Sequence, residues 1–208
     1  MTDNNLSELD AGFESEALGS QAVFRSALQA LSHPGRLIDI AHCAQVPEPA
    51  HSAAALFLLA MLDTDCTLWL SPALAKSKAR LWLHFHTGCQ VVKDASHAQF
   101  LWVAQGDVMP ALASLAQGSE EYPDQSATCV IEVAAMSTTR KNSLNWSLQG
   151  PGIESQNRIN VAGLDADFVR QWTENHERFP RGVDVFISAP NQLVGLPRTT
   201  LISIEGVC

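Results

Sequence analysis

The sequence predicts an α/β fold, a mixed sheet flanked by helices. Three observations carry the prediction. Helix-period and strand-period segments alternate through the first half of the chain, which argues for α/β layering. The second half holds strand-like runs divided by Gly and Pro turns. Near the C-terminus, Phe179-Pro180-Arg181-Gly182-Val183-Asp184 and Leu196-Pro197-Arg198-Thr199-Thr200 form two punctuated corners, each leading into a strand.

The elements follow in order. Residues 1–19 are polar and acidic with isolated apolar side chains and read as a flexible N-terminal tail, leaving 20–208 as a single domain. A helix starts at Gln21, with Phe24, Ala27, Leu28 and Leu31 on its inner face. Pro34 pushes His33 out of helical geometry and Gly35 completes the turn, so Arg36 to Ile40 makes the first strand. Ser52 is placed to cap an apolar helix over Ala53 to Leu62. Cys66 to Leu70 is a second strand. Ser71-Pro72 has the order of a helix start, and the helix should pass Leu74, Lys78 and Leu81 towards Phe85. Phe100 to Ala104, apolar throughout, fits a strand covered on both faces. Asp107 is expected to cap a short helix ending near Gly118. Cys129 to Ala134, Leu144 to Gln149 and Arg158 to Val161 are strands, and a helix runs from Asp165 to about Glu177. Val183 to Ser188 and Leu201 to Glu205 are the two C-terminal strands, so antiparallel pairing is expected at one end of the sheet.

Composition narrows the function. The apolar share of 46% and charged share of 17% belong to a folded globule. A net charge of -9 disfavours nucleic acid and anionic membranes as partners. The longest apolar run, Ala53 to Leu62, is half the ~20 residues that cross a bilayer. Asp3, Glu8 and Asp10 stand where a secretory leader would be positive, so a cytoplasmic location is expected. Cys43, Cys66, Cys89, Cys129 and Cys208 are scattered singly and read as free thiols.

Motifs for phosphate loops, dinucleotide folds, serine hydrolases and zinc proteases are all missing from the sequence. His84, His86 and Cys89 have metal-ligating types, but residues two apart on a helix diverge, so no metal site is expected. His86 in a cleft, Asp184 as a base and Arg198 as an oxyanion ligand are the residues that a small-molecule site would use. The competing reading is that Arg198 pairs with Asp184 or a loop carbonyl and stiffens the corner. Trp69, Trp82, Trp102, Trp146 and Trp172 are assigned to the core. Lys76, Lys78, Lys93 and Lys141 lie in polar surroundings unsuited to a Schiff base.

One family joins these pieces. Phe24-Arg25 through Leu31-Ser32-His33-Pro34-Gly35, Thr67-Leu68-Trp69-Leu70-Ser71, Phe85-His86-Thr87, Leu148-Gln149-Gly150-Pro151-Gly152-Ile153, both corners and the terminal Cys208 together resemble the PhnH subunits of bacterial carbon-phosphorus lyase. The resemblance implies a subunit, mainly a scaffold, of a core complex with partners of the G, I and J types. That complex makes ribose 1-methylphosphonate 5-triphosphate during alkylphosphonate catabolism. It also implies a fold similar to the large domain of pyridoxal-phosphate-dependent transferases without the cofactor, and no cofactor of its own. Separately, an apolar chain with few charges suggests a homodimer when isolated, or a heteromer with partners. The alternative is a free-standing enzyme that binds a phosphorylated small molecule.

Overall fold

The computed structural model describes residues 11–40, 45–139 and 145–204. Cys43, Lys141, Leu144, Cys208 and the first ten positions of the expected tail lie outside the described residues. The helices are α1 (Glu16–Ser32), α2 (Ser52–Met61), α3 (Pro72–Lys76), α4 (Ala79–Thr87) and α5 (Ala166–His176). The strands are β1 (Ile38–Asp39), β2 (Thr67–Leu70), β3 (Gln90–Val91), β4 (Phe100–Val103), β5 (Thr128–Glu132) and β6 (Ala135–Ser137), followed by β7 (Asn145–Gln149), β8 (Asn157–Ala162), β9 (Asp184–Ala189), β10 (Gln192–Leu196) and β11 (Leu201–Ile204).

A seven-stranded sheet in the order β1-β10-β9-β5-β4-β2-β3 forms the middle layer. The block from β9 to β3 is parallel, and β9-β10-β1 is antiparallel. This is the expected mixed sheet with antiparallel strands at one end. Side-chain alternation sends Trp102, Val130, Phe186 and Leu193 into one apolar cluster with α1, α2 and α4. Leu101, Val103, Cys129, Ile131, Val185 and Ile187 point the other way, into a second cluster with α5 and a separate antiparallel sheet. That four-stranded sheet, ordered β11-β7-β8-β6, was not expected as a separate layer.

The α1 helix starts before Gln21 because Phe13 folds back on Gly19. A Cβ at Gly19 would lie 2.5 Å from the Phe13 ring, so the later part of the expected tail is packed. The inner face of α1 is Gly19, Val23, Ala27 and Ala30, whereas Phe24 and Leu28 are 44% and 49% exposed. The cause is proximity to the sheet: a Cβ on Gly195 of β10 would sit 2.6 Å from the Ala30 backbone. Only small side chains fit there, and the large ones turn outward.

Other differences have local causes. His51, not Ser52, is the N-cap of α2. The helix expected over 72–85 breaks at Ser77, whose hydroxyl donates to the Leu74 carbonyl and accepts from the Ala79 amide. Asp107 does not cap a following helix: its carboxylate accepts from the Ala73 amide at 2.8 Å, at the start of α3. Only a 3-10 turn at Leu112–Ser114 forms in that stretch. The strand β10, missed from sequence, pairs along its whole length with β9. Among the described residues no helix is long and apolar enough to cross a membrane.

Candidate functional site

The two C-terminal corners meet. Asp165 caps α5 by accepting from the Asp167 and Phe168 amides, and α5 carries Trp172, Asn175 and His176 to the corner. Asn175 clamps Val183 twice, donating to its carbonyl at 2.9 Å and accepting from its amide at 2.8 Å. Gly182 takes φ +126, and a Cβ there would approach the Asn175 side-chain oxygen to 2.9 Å. The Trp172 indole donates to the Thr200 carbonyl at 2.8 Å, and His176 Nδ1 donates to the Arg198 carbonyl at 2.9 Å.

Arg198 occupies the centre and is only 9% exposed. Its Nε and Nη2 donate to the two Asp184 carboxylate oxygens at 3.2 and 2.6 Å. Nη1 donates to the Pro123 and Pro180 carbonyls at 3.0 and 3.2 Å, and Nη2 also donates to the Ser126 hydroxyl. A guanidinium has five N–H donors, and each has a protein acceptor here. The Asp184 carboxylate also accepts from the Arg198 amide at 2.8 Å. The arrangement is a clasp binding the 123–126 turn, the Pro180 turn, β9 and the β10–β11 link. Asp184 begins β9, so the clasp lies at the amino end of the parallel strands, whereas open α/β sheets bind ligands at the carboxyl end. Arg181 is exposed.

His86 lies elsewhere. It sits in the last turn of α4, edge-on to Trp82 and Phe85 with ring centroids 5.3 and 5.1 Å away. It borders a cleft of about 310 Å³ together with Gly12, Glu16 and Asp63, none of which lines the Arg198 clasp. The structure thus joins Asp184 to Arg198 and sets His86 in a separate group. His84 Nδ1 donates to the Cys89 carbonyl at 2.8 Å, closing the end of α4. Among the described residues no group of three or more His, Cys, Asp and Glu is placed to hold a metal.

A third group, not anticipated, lies at the carboxyl end of the parallel strands. Glu132 ends β5 and is 3% exposed. Its Oε1 accepts from the His51 amide at 2.7 Å and the Trp102 indole at 3.0 Å, while among the described residues the buried Oε2 has no contact of hydrogen-bond geometry. Burial pushes this carboxyl above the usual glutamate range, against the opposing pull of the His51 amide and ring, the Trp102 N–H and the nearby Gln105 amide. The His51 Nδ1 donates to the Ser188 carbonyl at 3.3 Å. A lone Glu within the apolar run Cys129 to Ala134 was the sequence signal for this group.

The fold and these sites define a class: a layered α/β protein whose signature arginine is consumed in holding its own frame. The comparisons are more specific. The chain matches the family model described as bacterial phosphonate metabolism protein (PhnH) over residues 11–203, and it belongs to that family. It is 35% identical over 193 residues to the Rhizobium meliloti (strain 1021) alpha-D-ribose 1-methylphosphonate 5-triphosphate synthase subunit PhnH, covering 93% of this chain and 94% of the relative. It is 32% identical over 193 residues to a Stutzerimonas stutzeri protein provisionally described as C-P lyase subunit protein HtxG, covering 92% and 89%.

Proposed function

We propose that the chain is a scaffold subunit of a phosphonate-processing complex that makes ribose 1-methylphosphonate 5-triphosphate, with partners of the G, I and J types. The match to the Rhizobium meliloti subunit across nearly the full length of both chains carries this reading. The Arg198 clasp supports it: the most distinctive motif residues, Asp184 and Arg198, are engaged with the protein itself. Exposed Leu18, Phe24 and Leu28 on α1 and Phe85 on α4 supply apolar surface for assembly. The reading includes a cytoplasmic location, a homodimer when the chain is purified alone, and a sheet related to the large domain of pyridoxal-phosphate-dependent transferases without the cofactor. The exposure of Lys76, Lys78 and Lys93 accords with that last point, since a Schiff-base lysine needs a desolvated pocket.

Co-expression with the three partner types, followed by pull-down and mass determination, tests the proposal. A stoichiometric complex is expected. Recovery of this chain alone, with turnover of a phosphorylated small molecule, would replace the scaffold reading with a free-standing enzyme.

A further inference from the structure

One edge of the seven-stranded sheet carries two cysteines side by side. In the parallel pair of β2 and β3, Thr67 lies opposite Gln90 and Leu68 opposite Val91, so Cys66 and Cys89, one step earlier, are neighbours in the same register. The Gln90 amide donates to the Cys66 carbonyl at 2.9 Å, which carries the ladder up to that step. Neighbouring strands lie about 4.7–4.9 Å apart, inside the span of about 4.4–6.8 Å between Cα atoms of bonded cysteines. The two side chains also share a face. Cys89 belongs to the apolar cluster with α1, α2 and α4, and Cys66 packs against that cluster. Both are free thiols, and Cys129 lies in the other cluster.

The flanking turns hold the pair together. Gly88 ends α4 at φ +73, and a Cβ there would meet Thr64 Cγ2 at 2.7 Å, so the turn before β3 rests on the turn before β2. Each cysteine has regular strand on one side alone, and the small mutual approach that bonding needs falls on these turns. Access differs between them. Cys89 is buried and Cys66 half-buried. Burial, with smaller additions from the Asp63 carboxylate and from Cys89, pushes the Cys66 thiol above the usual cysteine range, and burial does the same to Cys89. The pair is therefore slow to react at neutral pH and is reached from the Cys66 side.

We propose that Cys66 and Cys89 form a reversible oxidation site, closing to a disulfide by exchange with a small-molecule disulfide. The Cys66 thiolate attacks one sulfur of the reagent, forming a mixed disulfide and releasing one thiol. The Cys89 thiolate then attacks the Cys66 sulfur, forming the Cys66–Cys89 bond and releasing the second thiol. The two protein sulfurs lose two electrons in all, the reagent disulfide gains them, and the two cysteine protons leave on the released thiols. Closure ties the two-residue edge strand β3 covalently to β2 and fixes the end of α4 beside the cleft lined by Asp63 and His86. The site is distinct from the Arg198 clasp and does not depend on the assembly reading.

The test is incubation of the purified full chain with excess oxidised glutathione at about pH 8.5, near the ordinary cysteine pKa, then acid quenching, non-reducing digestion and mass spectrometry. A cross-linked Cys66–Cys89 peptide pair, lighter than the reduced peptides by two hydrogens and reversed by dithiothreitol, is expected as the main product. Cys89→Ala should halt the sequence midway and accumulate glutathione on Cys66 at least roughly tenfold above wild type, whereas Cys66→Ser should leave Cys89 unmodified. Circular dichroism checks that each variant is folded, and the wild-type cross-link is read without any variant. The proposal is overturned if the native chain yields no such peptide under conditions that oxidise the urea-unfolded chain. Disulfides joining Cys66 or Cys89 to Cys43 or Cys208 in its place, or a Cys89→Ala chain with no more glutathione on Cys66 than wild type, would overturn it equally.

Discussion

Replacing Arg198 with Ala tests whether the signature corner serves the fold. The change removes all five side-chain hydrogen bonds and leaves Asp184, whose side chain is 27% exposed, facing the space vacated by its cation. Breaking a buried pair from one side costs about 3–5 kcal/mol. Asp184 keeps the Arg198 amide and some solvent access, which places the loss near the lower end, about 3 kcal/mol. For a chain of this size each kcal/mol moves Tm by about 2–4 °C, so a fall of roughly 6–12 °C is expected. Arg198→Lys retains the charge without the fork and should lose about half as much. Asp184→Asn, combined with Arg198→Ala, completes a cycle whose coupling should be about 1–3 kcal/mol. Urea unfolding followed by tryptophan fluorescence measures all four species. A stability loss below about 1 kcal/mol in Arg198→Ala, with impaired ligand turnover, would refute the clasp and return Arg198 to an oxyanion role.

Three further outcomes follow from the geometry. The folded-state pKa of Glu132 is raised, so its contribution to stability is intact below the ordinary glutamate value of about 4.3 and is lost as pH climbs through the folded value. Glu132→Gln keeps an oxygen for the His51 and Trp102 donors and cannot ionise. Its stability relative to wild type should improve from about pH 4 to pH 7, and a flat difference in denaturation midpoints would show that Glu132 is not the group involved. Gly152→Ala should cost about 2–4 kcal/mol from left-handed strain plus collision with the Ser32 carbonyl; thermal unfolding unchanged from wild type would contradict the turn contact. The Cys129 thiol is pushed up to about 12 by burial and by the Asp184 charge. Site-resolved mass spectrometry of the native protein at about pH 8, below that thiol's pKa, should therefore find Cys129 unalkylated by iodoacetamide while the half-buried Cys66 reacts faster.

The middle layer of the fold was legible because its residues obey short-range rules. Leu101, Trp102 and Val103 read as a strand covered on both faces, and the structure divides them between two cores. The face of α1 was misread for a non-local reason. Phe24 and Leu28 satisfy helical periodicity, but Gly195, far along the chain, brings the helix too close for them. The separate β11-β7-β8-β6 sheet was hidden in the same way, since strand order is a property of pairing and not of pattern. The Ser77 break was local, yet a serine hydroxyl competing for helix backbone leaves no periodic trace.

The site residues show the same division between type and placement. Residue type alone made Arg198, Asp184 and His86 candidates, and pairing of Arg198 with Asp184 was a reading that the corner sequences already allowed. What the sequence lacked was the carbonyl acceptors: Pro123 and Pro180 look like ordinary turn prolines until their oxygens are seen to take the remaining Arg198 donors. An arginine's chemical availability is set by acceptors contributed from elsewhere in the chain. A saturated arginine in a conspicuous motif therefore argues for scaffold.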